Sequence, residues 1–312
     1  MKRKRGKGRG VQILEYALAY TVFSASGLLP WDALQLISLL LARALFLLSP
    51  KRRGIATENI RYALGIEDER KVKGMALRSF RHFFLTFLEI PKLRRVMNSP
   101  DVGMGYLRGM IDGLDDAIQR ARAIHKGSGG CIFVTPHIGS WEMLPYLGRL
   151  ADIPLTIIIR PLDNPYVERL LNREASGQII MPKTNALLSL KETLRSGGSV
   201  GMLPDQSTMK GLLVDFFGRK ATTTPIPAIL ALSCRRPIVT VSCCRASETG
   251  HYEVFISDPI WPAEAGDKKK EIVRLTGEMT RVMEGVIRRY PDQYLWMHNR
   301  WKRYRGKKEF LR

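Results

Sequence analysis

Over most of the chain, short unbroken apolar runs alternate with longer segments whose apolar positions recur every three or four residues. Residues 131–134, 155–159, 178–181, 200–203, 237–244 and 252–256 are of the first kind. Such runs suit strands buried on both faces. Residues 164–176, 186–195 and 225–234 lie between them and predict helices, and 268–289 predicts a further amphipathic helix stopped at Pro291. Upstream, residues 53–89 are rich in helix formers, with Met75, Leu77, Phe80, Phe84 and Leu88 at helical spacing. The alternation predicts an α/β sandwich around a largely buried sheet.

The N-terminal region breaks that rhythm. Two apolar segments, 11–29 and 33–48, flank Pro30-Trp31-Asp32 and end at Lys51-Arg52-Arg53, with Glu15 and Arg43 interrupting them. Their length predicts a single membrane span or a shallow hairpin. Residues 1–52 are therefore expected to form a basic N-terminus and membrane anchor, and 53–312 the folded body. Ser24-Ala25-Ser26 imitates the cleavage site of a signal peptide, but Glu15 and the second apolar segment oppose that. An amphipathic helix pair packed on the body is the plainer alternative.

Charge narrows the choice of partner. The 312 residues carry a formal net charge of +21, from 50 basic and 29 acidic side chains, which implies something anionic: nucleic acid, lipid or an acidic carrier protein. Six of the first ten residues are Lys or Arg, immediately before the apolar region, as in approach to a membrane. Nucleic acid is not expected, because no nucleic-acid fold signature appears and the basic residues gather at the chain ends rather than beside aromatic platforms. Cys131, Cys234, Cys243 and Cys244 lack CxxC spacing and fall in or near apolar runs, as reduced core thiols of a cytoplasmic domain would.

Candidate chemistry concentrates where apolar runs end, since ligands of open α/β sheets bind beyond strand ends. His137 follows the run 131–134, and Glu142 stands five residues later in Thr135-Pro136-His137-Ile138-Gly139-Ser140-Trp141-Glu142. On one helix the two would point roughly 140° apart. With His137 in a turn and Ser140 capping a helix that carries Glu142 in its first turn, the carboxylate can return to the imidazole and orient it as a general base. The plain alternative is a satisfied polar histidine beside a glutamate that the helix dipole favours. Zinc is not expected, because His-x4-Glu matches no usual metalloprotease spacing. Arg160 ends the run 155–159 and suits an anion or an ordinary ion pair with Asp163 or Glu168. Asp205 follows 200–203 and either orients Arg160 or a substrate hydroxyl, or caps a turn.

Six separated stretches, in order along most of the chain, resemble the bacterial lipid A biosynthesis acyltransferases, late lauroyl and myristoyl transferases of the wider lysophospholipid acyltransferase group. They are Gly54-Ile55-Ala56-Thr57-Glu58-Asn59-Ile60, the His137 stretch, Ile159-Arg160-Pro161-Leu162-Asp163-Asn164-Pro165, Met202-Leu203-Pro204-Asp205-Gln206, Val214-Asp215-Phe216-Phe217-Gly218, and Gln293-Tyr294-Leu295-Trp296-Met297-His298-Asn299-Arg300-Trp301-Lys302. The resemblance implies a glycerol-3-phosphate-acyltransferase-like fold and an active site at the cytoplasmic face of the bacterial inner membrane. It implies transfer of a fatty acyl chain from acyl-carrier protein to a hydroxyl of an anionic, Kdo-bearing lipid A precursor, with no metal and no cofactor beyond the acyl donor. His137 and Glu142 match the family's catalytic pair, and Arg160, Asp205 and Asn164 fall where substrate-binding residues are expected. Pro225 occupies roughly the place of a pocket-shaping fourth motif. Met209-Lys210-Gly211 and the very basic N-terminus depart from the pattern. Acyl-CoA-dependent acylation of another membrane glycolipid, such as an inositol mannoside, or of a phospholipid is the alternative reaction. A polyanion-binding protein without turnover is the alternative class.

Overall fold

The computed structural model describes residues 8–97, 99–159, 162–171, 179–182, 186–209, 211–246 and 250–302. Six helices precede the first strand: α1 (Arg9–Ser26), α2 (Trp31–Leu48), α3 (Pro50–Leu64), α4 (Glu69–Val96), α5 (Pro100–Arg108) and α6 (Leu114–Ser128). Then follow β1 (Ile132–Val134), α7 (Leu144–Leu150), β2 (Leu155–Ile159), α8 (Pro165–Leu171), β3 (Ile179–Pro182), α9 (Ala186–Arg195) and β4 (Ser199–Met202). A hairpin of β5 (Leu212–Phe216) and β6 (Arg219–Thr223) leads to α10 (Ile226–Cys234), β7 (Ile238–Arg245), β8 (Tyr252–Ile256) and α11 (Lys268–Arg289).

The main sheet has the order β3-β2-β4-β1-β7-β8, with the first five strands parallel and β8 antiparallel to β7. Alternation along the strands divides its two faces. Phe133 and Val239 look toward α6 and α7, and Ile132, Val134 and Ile238 toward α9, α10 and α11. Both faces are covered, which is why the strands read as continuous apolar runs. The structure is thus a mixed α/β sheet flanked by helices. Helices α5 and α6 and the β5–β6 hairpin were not expected from the pattern. The hairpin turns through Phe217 and Gly218, both at positive φ, as a two-residue turn between right-twisted strands requires. The helix expected over 164–176 is seen as α8, and residues 172–176 lie outside the described ones.

Among the described residues, α2 is the one helix long and apolar enough to cross a membrane. It lies along α4, with Leu34, Ser38 and Ala42 buried and Leu36, Leu40, Leu47 and Leu48 exposed. Helix α1 buries only Ser26 and exposes Val11, Ile13, Leu14 and Leu18. The two helices therefore hold an apolar outer surface against the body. Burial of even four leucine side chains in a lipid interface would supply on the order of 6 kcal/mol or more.

Candidate active site

Strand register places the centre of the site. Val134 of β1 pairs with Met202 of the neighbouring β4. His137 and Asp205 each stand three residues past that rung, so the two loops leave the sheet side by side and their side chains meet. His137 Nδ1 lies 2.7 Å from Asp205 Oδ1, and the His137 backbone N–H donates to Asp205 Oδ2 at 2.9 Å. A carboxylate only accepts hydrogen bonds, so the proton of a neutral imidazole sits on Nδ1. Nε2 then carries the free lone pair. The exposed amide of Gln206 approaches it at 3.2 Å, where an acceptor hydroxyl can take its place.

Asp205 is almost fully buried. Burial alone would raise its pKa, but the charge and two hydrogen bonds of His137, with Arg300 beyond, hold it below the usual carboxylate range. Tyr294 stands beside it, its phenol pushed well up by burial and by the charge of Asp205. His298 completes this layer. Its Nε2 accepts the Ser207 backbone N–H at 3.0 Å, and burial pushes its pKa down to about 4.

That shift predicts a pH dependence. A histidine depressed in the folded state contributes stability that is fully present above its unfolded pKa near 6.5 and is lost as pH falls through the folded value. Wild type is expected to lose about 3 kcal/mol through this group between pH 6.5 and about 4. His298→Gln, which keeps an acceptor for Ser207, should show a correspondingly flatter profile in chemical denaturation. Identical slopes for the two proteins would contradict the assignment.

The loop bearing His137 is fastened on every side. Leu295 N–H donates to the His137 carbonyl, Ser140 N–H to Cys243 and Gly139 N–H to Gln293. Gly139 has φ +59°, and a Cβ there would lie 2.2 Å from the Cys243 carbonyl oxygen, so no other residue fits. Ser140 precedes the short 3-10 turn Trp141–Met143, but its hydroxyl caps nothing; it donates to Glu89. The Trp141 ring stands edge-on to the imidazole at 5.5 Å.

The candidate residues separate accordingly. Asp205, expected to orient Arg160 or a hydroxyl, instead takes the imidazole Nδ1 that the sequence reading gave to Glu142. Glu142 is half-buried in the turn after the loop, and its charge bears on Arg94 and Tyr146. The amide of Asn164 caps α8 through the N–H groups of Tyr166 and Val167 and ties α1 to it through Gln12 and Glu15. Pro225 is the N-cap residue of α10. Arg160 lies outside the described residues. No group of three His, Cys, Asp or Glu side chains able to hold a metal gathers among the described residues.

Beside this pair lies an apolar cavity that opens to solvent. Thr135, Trp141 and Leu203 line it at the His137 end, Phe133, Ile157 and Gly201 one level further in, and Leu155 beyond. Helices α6 and α7 close the other side. Four residues of strand separate the levels of Thr135 and Leu155, a depth of about 13 Å.

The family model of bacterial lipid A biosynthesis acyltransferases matches residues 5–303. Two relatives, the lipid A biosynthesis palmitoleoyltransferase of Escherichia coli K12 and a lipid A biosynthesis acyltransferase of Shigella flexneri, are each 28% identical over 199 residues. The matched region is 62% of this chain and 61% of each relative.

Proposed function

The chain belongs to the bacterial lipid A biosynthesis acyltransferase family, and on that premise we propose that it moves a fatty acyl chain from acyl-carrier protein to a hydroxyl of a Kdo-bearing lipid A precursor. The observation that carries this is an imidazole whose Nδ1 is held by a buried carboxylate, with Nε2 turned toward the exposed Gln206 amide beside an apolar cavity. The acceptor hydroxyl loses its proton to Nε2 as its oxygen attacks the thioester carbonyl. The tetrahedral intermediate collapses with cleavage of the carbon–sulfur bond, and the departing thiolate takes the proton back from the imidazolium. One ester forms, one thioester is lost and His137 returns to its starting state. Asp205 stabilises the imidazolium between these steps. Glu142, in the turn that follows the loop, remains the second acid of the proposed catalytic pair, while Arg160 and the basic excess serve the anionic acceptor and the acidic carrier.

Residues 53–312 form the acyltransferase domain in this proposal, with a glycerol-3-phosphate-acyltransferase-like fold. Residues 1–52 hold it to the cytoplasmic face of the inner membrane, α1 and α2 presenting their exposed leucines to lipid. The test offers purified protein acyl-carrier-protein and CoA thioesters with Kdo-bearing lipid A precursor, an inositol mannoside and a lysophospholipid. Mass spectrometry is expected to find the lipid A precursor heavier by one acyl group, with the carrier-protein donor preferred. Acylation of another acceptor alone would overturn the assignment.

The cavity is the seat of the acyl chain in this proposal, and Gly201 keeps it open. A Cβ at 201 would meet Ile157 and Leu155 at 3.4–3.6 Å, ordinary contact, so the strand tolerates a methyl while anything larger fills the space. Each methylene denied its contacts costs about 0.8 kcal/mol. Gly201→Val is therefore expected to disfavour the longest accepted donor by roughly tenfold to fiftyfold, while donors about two to four carbons shorter keep their rate. Unchanged product lengths would place the chain elsewhere.

A further inference from the structure

A glutamate that touches no candidate reacting group lies beneath the loop that carries the imidazole. Glu89 belongs to α4, in the apolar sequence Phe83-Phe84-Leu85-Thr86-Phe87-Leu88-Glu89-Ile90, and is fully buried. Arg245, the last residue of β7, is 4% exposed and grips the carboxylate with Nε on Oε1 at 2.9 Å and Nη2 on Oε2 at 2.6 Å. Ser140 Oγ donates to Oε2 and the Tyr252 hydroxyl to Oε1, both at 2.8 Å. These four donors fill the roughly four acceptor positions of a carboxylate.

A buried ion pair is a poor route to stability, because desolvation offsets most of the mutual attraction, whereas a fully satisfied one specifies geometry. Its connections here converge on one place. Ser140 binds Glu89 directly, Thr86 Oγ1 donates to the Gly139 carbonyl at 2.7 Å, and Arg245 Nη2 donates to the same Thr86 oxygen at 3.2 Å. Gln293 brackets the Arg245 backbone from both sides, and its own carbonyl receives the Gly139 N–H. Gly139 and Ser140 join His137-Ile138 to the turn that begins with Trp141.

We propose that Glu89 is a positioning residue for His137: with Arg245 it fixes Gly139 and Ser140, and thereby aims Nδ1 at Asp205 and holds Trp141 against the cavity. The catalytic consequence rests on the acyl-transfer proposal above; the geometric one does not.

Two variants separate positioning from general stability. Ser140→Ala removes the direct bond between the loop and Glu89 and leaves the ion pair whole. Tyr252→Phe removes an equivalent hydrogen bond to the same carboxylate from a strand outside the loop. Both are expected to lose comparable thermal stability. Ser140→Ala should lower kcat about tenfold to a hundredfold at unchanged donor KM, because misplacement of a reacting group by about 1 Å costs up to 100-fold. Tyr252→Phe should keep kcat within about twofold, and Ser140→Thr, which retains the hydroxyl, should recover most of the loss. A readout independent of turnover is the nitrogen-15 spectrum of labelled histidine. Wild type and Tyr252→Phe should show His137 with its proton on Nδ1 in a strong hydrogen bond, and Ser140→Ala a mixture of tautomers. Identical kcat and identical His137 spectra in Ser140→Ala and Tyr252→Phe would overturn the proposal and leave Glu89 an ordinary core ion pair. Separated spectra in a protein that transfers no acyl group would support positioning and reject the acyl-transfer proposal instead.

Discussion

His137→Ala is expected to lower acyl transfer by at least about a thousandfold while leaving the protein folded. Loss of a general base alone typically costs 10²–10⁴ in rate. His298, in the layer behind Asp205, cannot substitute because its Nε2 is taken by the Ser207 N–H. The fold should survive because the His137 side chain is about one-fifth exposed and packs into no hydrophobic cluster. Release of carrier thiol measured beside a thermal unfolding curve checks both halves. A variant that turns over at the wild-type rate would remove His137 from the chemistry.

The second large effect is expected from Asp205→Asn, for a reason of tautomers rather than charge alone. Asp205 accepts two N–H groups, one on each oxygen. Asparagine offers one oxygen and one amide group, so one of those donors must face another donor. The imidazole escapes the clash by moving its proton from Nδ1 to Nε2, which removes the lone pair that takes the hydroxyl proton. A loss of about 10⁴ in kcat is expected, the size seen when a buried carboxylate behind a catalytic histidine is changed in this way in serine proteases. Donor KM should stay near wild type, since Asp205 lies behind the imidazole. Histidine nitrogen-15 shifts that still place the proton on Nδ1, together with full activity, would refute the account.

Much of this site is legible in the sequence as separate pieces. His137 and Asp205 both stand out as polar residues just past apolar runs, and those runs are strands in the structure. Their partnership is not legible, because the chain does not state that β4 inserts between β1 and β2, which precede it. Proximity in sequence favoured Glu142 as the partner; proximity in space favours a residue 68 positions away. The Glu89–Arg245 pair was missed for a similar reason. Each left a faint mark: a lone acid in an apolar helical stretch, and an arginine closing an apolar strand. Only the packing of α4 across the ends of β7 and β8 turns the two marks into one network.

The resemblance stretches acquire physical reasons in the fold. Asn59, from the first of them, donates both amide hydrogens to the carbonyls of Trp296 and His298 in the last. Phe217-Gly218 is a hairpin turn whose Phe217 N–H is held by Glu284 of α11. Asn164 keeps α1 attached to α8. The two apolar segments broken at Pro30 are helices α1 and α2, but α2 spends one face on α4, which composition along the chain cannot reveal.

Because the rung Val134–Met202 sets the distance between imidazole and carboxylate, synthesis on the ribosome passes through a long stage in which neither works. A nascent polypeptide ending before Ser199 already contains the histidine, yet lacks both its acid and the strand that joins β1 to β2. The paired imidazole and carboxylate thus come into being only once translation has run past residue 205 and the central strand has docked beside β1.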